Sequence, residues 1–168
     1  MEDHQTHEEQ LNTLVEKMRN HEFCMLTTVD DERGVLRSRP MRLQEVEDDG
    51  TLWFMTSDAS PKTDEINHEH HVNVVFIDEG GESFISLSGI AALQQDHARV
   101  ERYWRDTDDA WFPRGENDPH VVLIRVELND AEYWEGPSRV VKLYAAARAI
   151  TSGKPASGLG EHVRVSKH

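Results

Sequence analysis

A chain of 168 residues with 37% hydrophobic and 30% charged residues can form one sizeable core beneath a heavily charged surface. The net charge of −14 argues against general binding to nucleic acid, and no apolar run approaches membrane-spanning length. The single cysteine, Cys24, excludes an internal disulfide framework; with an acidic, signal-free start (Met1-Glu2-Asp3-His4), a cytoplasmic location is expected.

Residues 1–6 read as a loose polar lead, 7–150 as one domain and 151–168 as a C-terminal tail. Leu11, Leu14, Val15 and Met18 recur at helical spacing, which predicts an amphipathic helix over residues 7–20, packed across a sheet. Residues 23–29 predict a buried first strand. Cys24 within it reads as a structural thiol, because no basic neighbour would lower its pKa. Asp30-Asp31-Glu32-Arg33-Gly34 closes a hairpin, with Gly34 available for a positive φ.

The second strand spans residues 35–46. In an acidic chain, the stretch from Arg33 to Arg42 holds four arginines and no acid. Strand alternation puts Arg37 and Arg39 on one face with Val35 and Met41. A partly buried anion would explain this, and so would salt bridges to the many carboxylates. Pro40 implies an edge or a bulge.

Glu47-Asp48-Asp49-Gly50 is a second tight turn, and residues 52–56 return as an antiparallel third strand. A turn through residues 57–59 leads to Ser60-Pro61, where a short helix over residues 61–67 begins. Ser60 suits the N-cap, its hydroxyl accepting a free backbone N–H, and Pro61 suits the first helical position. Thr56, Ser60, Lys62 and Thr63 thus crowd around a helix N-terminus, which favours anions. The stretch fits a phosphate pocket; it also fits an ordinary capped helix. Pairing of the second and third strands brings Arg37, Arg39 and Lys62 to the same end of that hairpin.

Asn67-His68-Glu69-His70-His71 invites a metal reading, but further ligands are unspecified, and solvated histidines with no metal are expected. Residues 72–77 and 84–92 predict two more strands, with Ser86, Ser88 and Gly89 allowing a close approach. A helix over residues 97–105 carries Val100, Tyr103 and Trp104. The polar loop 106–119 contains Trp111-Phe112-Pro113, suited to a subunit contact, a ligand lid or burial on the chain's own core. Residues 121–128 predict a strand, Ala131-Glu132-Tyr133-Trp134 follows, and residues 143–150 have alanine-rich helix character, broken by Gly153 to Gly158. Many strands joined by tight turns predict a mainly β fold with flanking helices, a closed or split antiparallel barrel. Glycine-rich nucleotide-binding fingerprints are absent.

Taken in order, several segments resemble the pyridoxamine 5′-phosphate oxidase-like split barrels that bind FMN, in particular their general stress protein branch. The segments are Arg37-Ser38-Arg39-Pro40-Met41, Leu52-Trp53-Phe54-Met55-Thr56-Ser57 with Ser60-Pro61-Lys62, Ser86-Leu87-Ser88-Gly89-Ile90-Ala91, Trp111-Phe112-Pro113 with Asp118-Pro119, and Ala131-Glu132-Tyr133-Trp134. The resemblance implies a homodimer with FMN at the subunit interface. It implies that arginine and serine of the second strand (Arg37, Ser38, Arg39), with Ser60 and Lys62, hold the phosphate. Backbone around Met41, Met55 and Thr56 would approach the flavin ring, Trp134 would lie near it, and the rings of Trp111 and Phe112 would come from the partner subunit.

The true oxidases carry an Arg-Leu-His segment shortly after the tryptophan. Here Trp134 is followed by Glu135-Gly136-Pro137-Ser138-Arg139-Val140-Val141, without the histidine, which puts pyridoxal phosphate synthesis in doubt. The reading is a flavin-dependent oxidoreductase of unknown substrate, with no catalytic side chain named. A non-catalytic protein that stores or senses flavin under stress is the alternative. A split barrel holding a deazaflavin or haem ranks last, since haem would want an axial histidine facing the pocket.

Overall fold

The computed structural model describes residues 6–78, 80, 82–136, 146 and 160–166. Arg139, the expected break at residues 153–158 and, Ala146 apart, the expected helix at 143–150 lie outside them. Helix α1 (His7–Arg19) begins at a capping box: Glu9 N–H donates to Thr6 Oγ1, and Thr6 N–H donates to the Glu9 carboxylate. Its buried face is Leu14, Val15 and Met18, as the spacing predicts. The strands are β1 (Phe23–Asp30), β2 (Val35–Val46), β3 (Leu52–Ser57), β4 (His71–Ile77), β5 (Ser83–Gln94), β6 (Val121–Glu135) and β7 (Glu161–Ser166). Two further helices, α2 (Pro61–His68) and α3 (His97–Tyr103), flank them. Among the described residues no helix is long and apolar enough to cross a membrane.

The sheet order is β3-β2-β1-β4-β5-β6-β7, every neighbouring pair is antiparallel, and β3 also pairs with β6. That last pairing closes six strands into a barrel. The interior holds Leu26, Phe54, Val74, Phe76, Leu87 and Ile124, with Leu14, Val15 and Met18 of α1 in the same cluster. Burying a side chain of this size contributes about 1.5–3 kcal/mol, so this interior dominates the stability. Cys24 belongs to it, and burial pushes its thiol up to about 12. A second cluster, Trp53, Val100, Tyr103, Phe112, Val121 and Leu123, lies beneath α3 and the loop after it.

The close approach predicted at Gly89 is real. A Cβ there would stand 2.3 Å from the Glu127 carbonyl oxygen, where the β5–β6 register shifts. Gly34 and Gly50 take positive φ of 65° and 85° in the two predicted turns.

The expected C-terminal tail holds a strand. Residues 161–166 are β7, and Val165 is buried in the barrel core. Strand β6 has room for β7 because β3 covers only Val121 to Val126 of its edge; β7 takes Asp130 to Glu135.

Candidate functional site

Strand β2 pairs with β1 from Val35 to Arg42, but with β3 only from Leu43 to Val46. The β2–β3 register shifts at Gln44. Before that point β2 has a free edge, and Pro40, with no N–H to offer, sits on it. The barrel is split here. A groove of about 610 Å³ opens along the split, within the ordinary size of small-molecule sites.

One end of the groove is polar. Lys62 Nζ donates to Thr56 Oγ1 at 2.9 Å and to Ser60 Oγ at 2.5 Å. An ammonium has three N–H donors, so one remains for a ligand. Burial first, and the Arg39 guanidinium second, hold the Lys62 ammonium below the usual lysine range, with Glu65 partly opposing them. Ser60 is the N-cap of α2 by position and conformation, but its hydroxyl makes no capping bond and instead accepts from Lys62. Thr63 Oγ1 donates to the Ser60 and Asp58 carbonyls and fixes the turn.

The apolar part of the lining is Phe23, Pro40, Met41, Met55, Trp111 and Phe112. Arg42 also lines the groove and binds both carboxylate oxygens of buried Asp108, at 2.8 and 2.9 Å. Arg42 Nε is buried with no hydrogen-bond partner among the described residues.

Six of the ten residues expected at the site line this groove: Met41, Met55, Thr56, Ser60, Lys62 and Trp111. The other four stand elsewhere in the single chain. Arg37 and Arg39 share the inward face with Met41, as alternation predicts, and are met there by buried Glu65 of α2. Arg39 Nη2 donates to Glu65 Oε2 at 2.8 Å, and Arg39 and Glu65 both bond Thr28. Arg37 Nη2 donates to Asp30 at 3.1 Å. Of the two readings left open for these arginines, the structure shows the carboxylate pairing. Ser38 is exposed on the opposite face and shares a hydrogen bond of 2.7 Å with Thr27.

Phe112 is buried in the second core cluster of its own chain and also lines the groove. Trp111 beside it is 81% exposed at the groove rim. Trp134 does not line the groove. It lies on the outer face of β6, stacked on His162 of β7 with ring centroids 5.0 Å apart and planes 3° from parallel. Phe23, Pro40, Arg42, Gln44, Ser57, Thr107 and Asp108 line the groove without having been expected at the site. Strand alternation does signal Arg42: it has the opposite parity to Arg37 and Arg39, and so faces the outside with Pro40.

A cation flanked by hydroxyls at one end, an apolar slot and an unpaired guanidinium N–H make a site for a flat ring carrying an anionic tail. The residues present therefore fit FMN. Among those described, no histidine lines the groove.

The comparisons agree with this architecture. The chain belongs to the pyridoxamine 5′-phosphate oxidase-like family, whose profile matches residues 9–156. Protein bli-3 of Neurospora crassa is 32% identical over 160 residues, covering 89% of this chain and 77% of that protein. A crystal structure assigned to general stress protein 26, from Jannaschia sp. CCS1, superposes with a TM-score of 0.71 at 23% identity, covering 91% of this chain and 95% of its own. The general stress FMN/FAD binding protein of Xanthomonas citri gives 0.63 at 29% identity, covering 75% of this chain and 89% of its own.

Proposed function

We propose that the groove binds FMN between two copies of the chain, and that the protein is an FMN-dependent oxidoreductase acting under stress. The polar end of the groove carries the reading: Lys62 has a free N–H and stands between two hydroxyls, and burial and Arg39 hold it below its ordinary pKa. Lys62, Thr56 and Ser60 would hold the phosphate. Met41, Met55 and Trp111 would flank the ring, and Arg42 would offer its spare Nε–H. Bound FMN supplies hydride or one-electron chemistry. The FMN/FAD binding named for the Xanthomonas citri relative, and the stress names of both solved relatives, support the reading.

The outer face of the barrel supports the dimer. Ile77 pairs with Phe84, Phe84 with Trp134, and Trp134 with His162 across β4, β5, β6 and β7. The β1–β4 register, carried two residues further, sets Phe23 beside Ile77. Phe23, Ile77, Phe84 and Trp134 are exposed by 58, 54, 40 and 37%, an apolar ladder that a second copy would cover. Phe23 at one end lines the groove; Trp134 and His162 stand at the other. A two-fold axis through the middle of the ladder would lay each Trp134 end on the partner's groove. Trp134 would then serve the flavin in trans, and Trp111 in cis.

One observation favours the storage or sensing alternative. Asp108 is the only carboxylate lining the groove among the described residues, and it is engaged by Arg42 and by the Arg105 N–H. Apart from Lys62, no unengaged acid or base lines the groove for proton transfer among the described residues. A visible spectrum and FMN titration of the purified protein test binding. Anaerobic mixing with NADH or NADPH then separates the readings: bleaching supports the oxidoreductase, and a stable oxidised spectrum supports the binder.

A further inference from the structure

We propose that His162, carried in by β7, is a positioning residue of the cofactor site, holding the Trp134 indole in place for the partner subunit's flavin. The inference rests on the trans placement of Trp134 proposed above.

Trp134 projects from the outer face of β6, and a single exposed tryptophan on a sheet has several rotamers open to it. Here the imidazole of His162, its cross-strand partner, lies flat against it. The imidazole is itself held, because His162 Nε2 stands 3.1 Å from Glu132 Oε2. Glu132 precedes Trp134 by two residues and so shares its face of β6. The three side chains form a closed unit: carboxylate to imidazole, imidazole to indole, and indole and carboxylate on one strand.

The register of β7 is fixed independently of this unit. Arg164 Nε donates to Asp130 at 3.1 Å, Ser166 Oγ also bonds Asp130, and Val165 is buried in the barrel core. A slip of one residue would turn Val165 outward and take His162 away from Trp134. The C-terminal strand therefore gives Val165 to the core and His162 to the outer face, at the end of the ladder assigned to the partner's groove.

The test uses the full chain stripped of flavin, with His162→Leu, His162→Phe and Trp134→Ala beside the wild type. FMN affinity is read by flavin fluorescence, and the asymmetry of the bound ring by visible circular dichroism. Leucine keeps the bulk but loses the flat ring; phenylalanine keeps the flat ring and loses the bond to Glu132. His162→Leu is expected to weaken FMN about three- to tenfold and to reduce the visible dichroism, with the apo unfolding midpoint unchanged. His162→Phe should restore most of both. Wild-type affinity and dichroism in His162→Leu, with both altered in Trp134→Ala, would overturn the positioning role and leave the trans site standing. Loss in His162→Phe equal to that in His162→Leu would also overturn it. No change in Trp134→Ala would refute the trans placement itself.

Discussion

Lys62 Nζ stands 2.9 Å from Thr56 Oγ1, so the first turn of α2 is tied back to the strand that leads into it. The bond holds the cation in the lining of the groove along the split between β2 and β3. It also leaves the hydroxyls of Thr56 and Ser60 turned toward the same point.

Lys62→Ala should therefore weaken FMN selectively. A charge-assisted contact to phosphate contributes roughly 1.5–3 kcal/mol. The FMN dissociation constant should rise on the order of tenfold to a hundredfold. Riboflavin, with no phosphate, should bind almost unchanged. Fluorescence quenching with both ligands measures this; equal losses would mean that Lys62 acts through structure alone.

The pH dependence follows from the same lysine. Burial and Arg39 lower its pKa in the folded, ligand-free chain. Just below the usual lysine value the unfolded chain then binds more protons than the folded one, so ligand-free stability rises with pH in that window. Phosphate favours the ammonium, so FMN affinity should fall as pH rises through the lowered pKa. The fall should begin at lower pH than an unperturbed lysine would give, and should vanish in Lys62→Ala. Titrations across alkaline pH check this, with riboflavin as the flat control.

Glu65→Gln should destabilise the fold. Glu65 is 8% exposed and serves Arg37, Arg39 and Thr28 together. Removing one partner of a fully buried pair costs about 3–5 kcal/mol; with Arg37 40% exposed here, about 1–3 kcal/mol is expected. The shift of the urea midpoint measures it. FMN affinity in the folded variant should change far less than in Lys62→Ala.

Phe84→Glu should dissociate the proposed dimer. It places a charge in the middle of the apolar ladder, where two copies would meet near the axis. Light scattering at micromolar concentration should show a dimer for the wild type and a monomer for the variant. FMN affinity should fall with dissociation, although Phe84 does not line the groove.

The hairpins were legible because local chemistry writes them. Gly34 and Gly50 mark the turns, and the alternation between them sets β2 at Val35–Val46, the bounds expected. The polar end of the groove was legible for the same reason: Thr56, Ser60 and Lys62 are neighbours in sequence and stay neighbours in space. The pairing of Arg37 and Arg39 was not, because Glu65 arrives from another element. Strand β7 was hidden behind a glycine-rich stretch, with only Val163 and Val165 alternating in it. Arg42 could have been read from strand parity, but Asp108, which holds it, comes from a loop without a repeating pattern.

The trans site can be measured in one mixed dimer. Lys62→Ala and Trp134→Ala chains carrying different tags are co-expressed, and the heterodimer is purified through both tags. If each groove is completed by the partner subunit's Trp134, one groove of the heterodimer lacks both residues and the other has both. Titration should then show one FMN site of wild-type affinity per dimer, although neither parent homodimer has any. Two weakened sites and no wild-type site would mean that Lys62 and Trp134 act within one chain or not together, and would contradict the shared site.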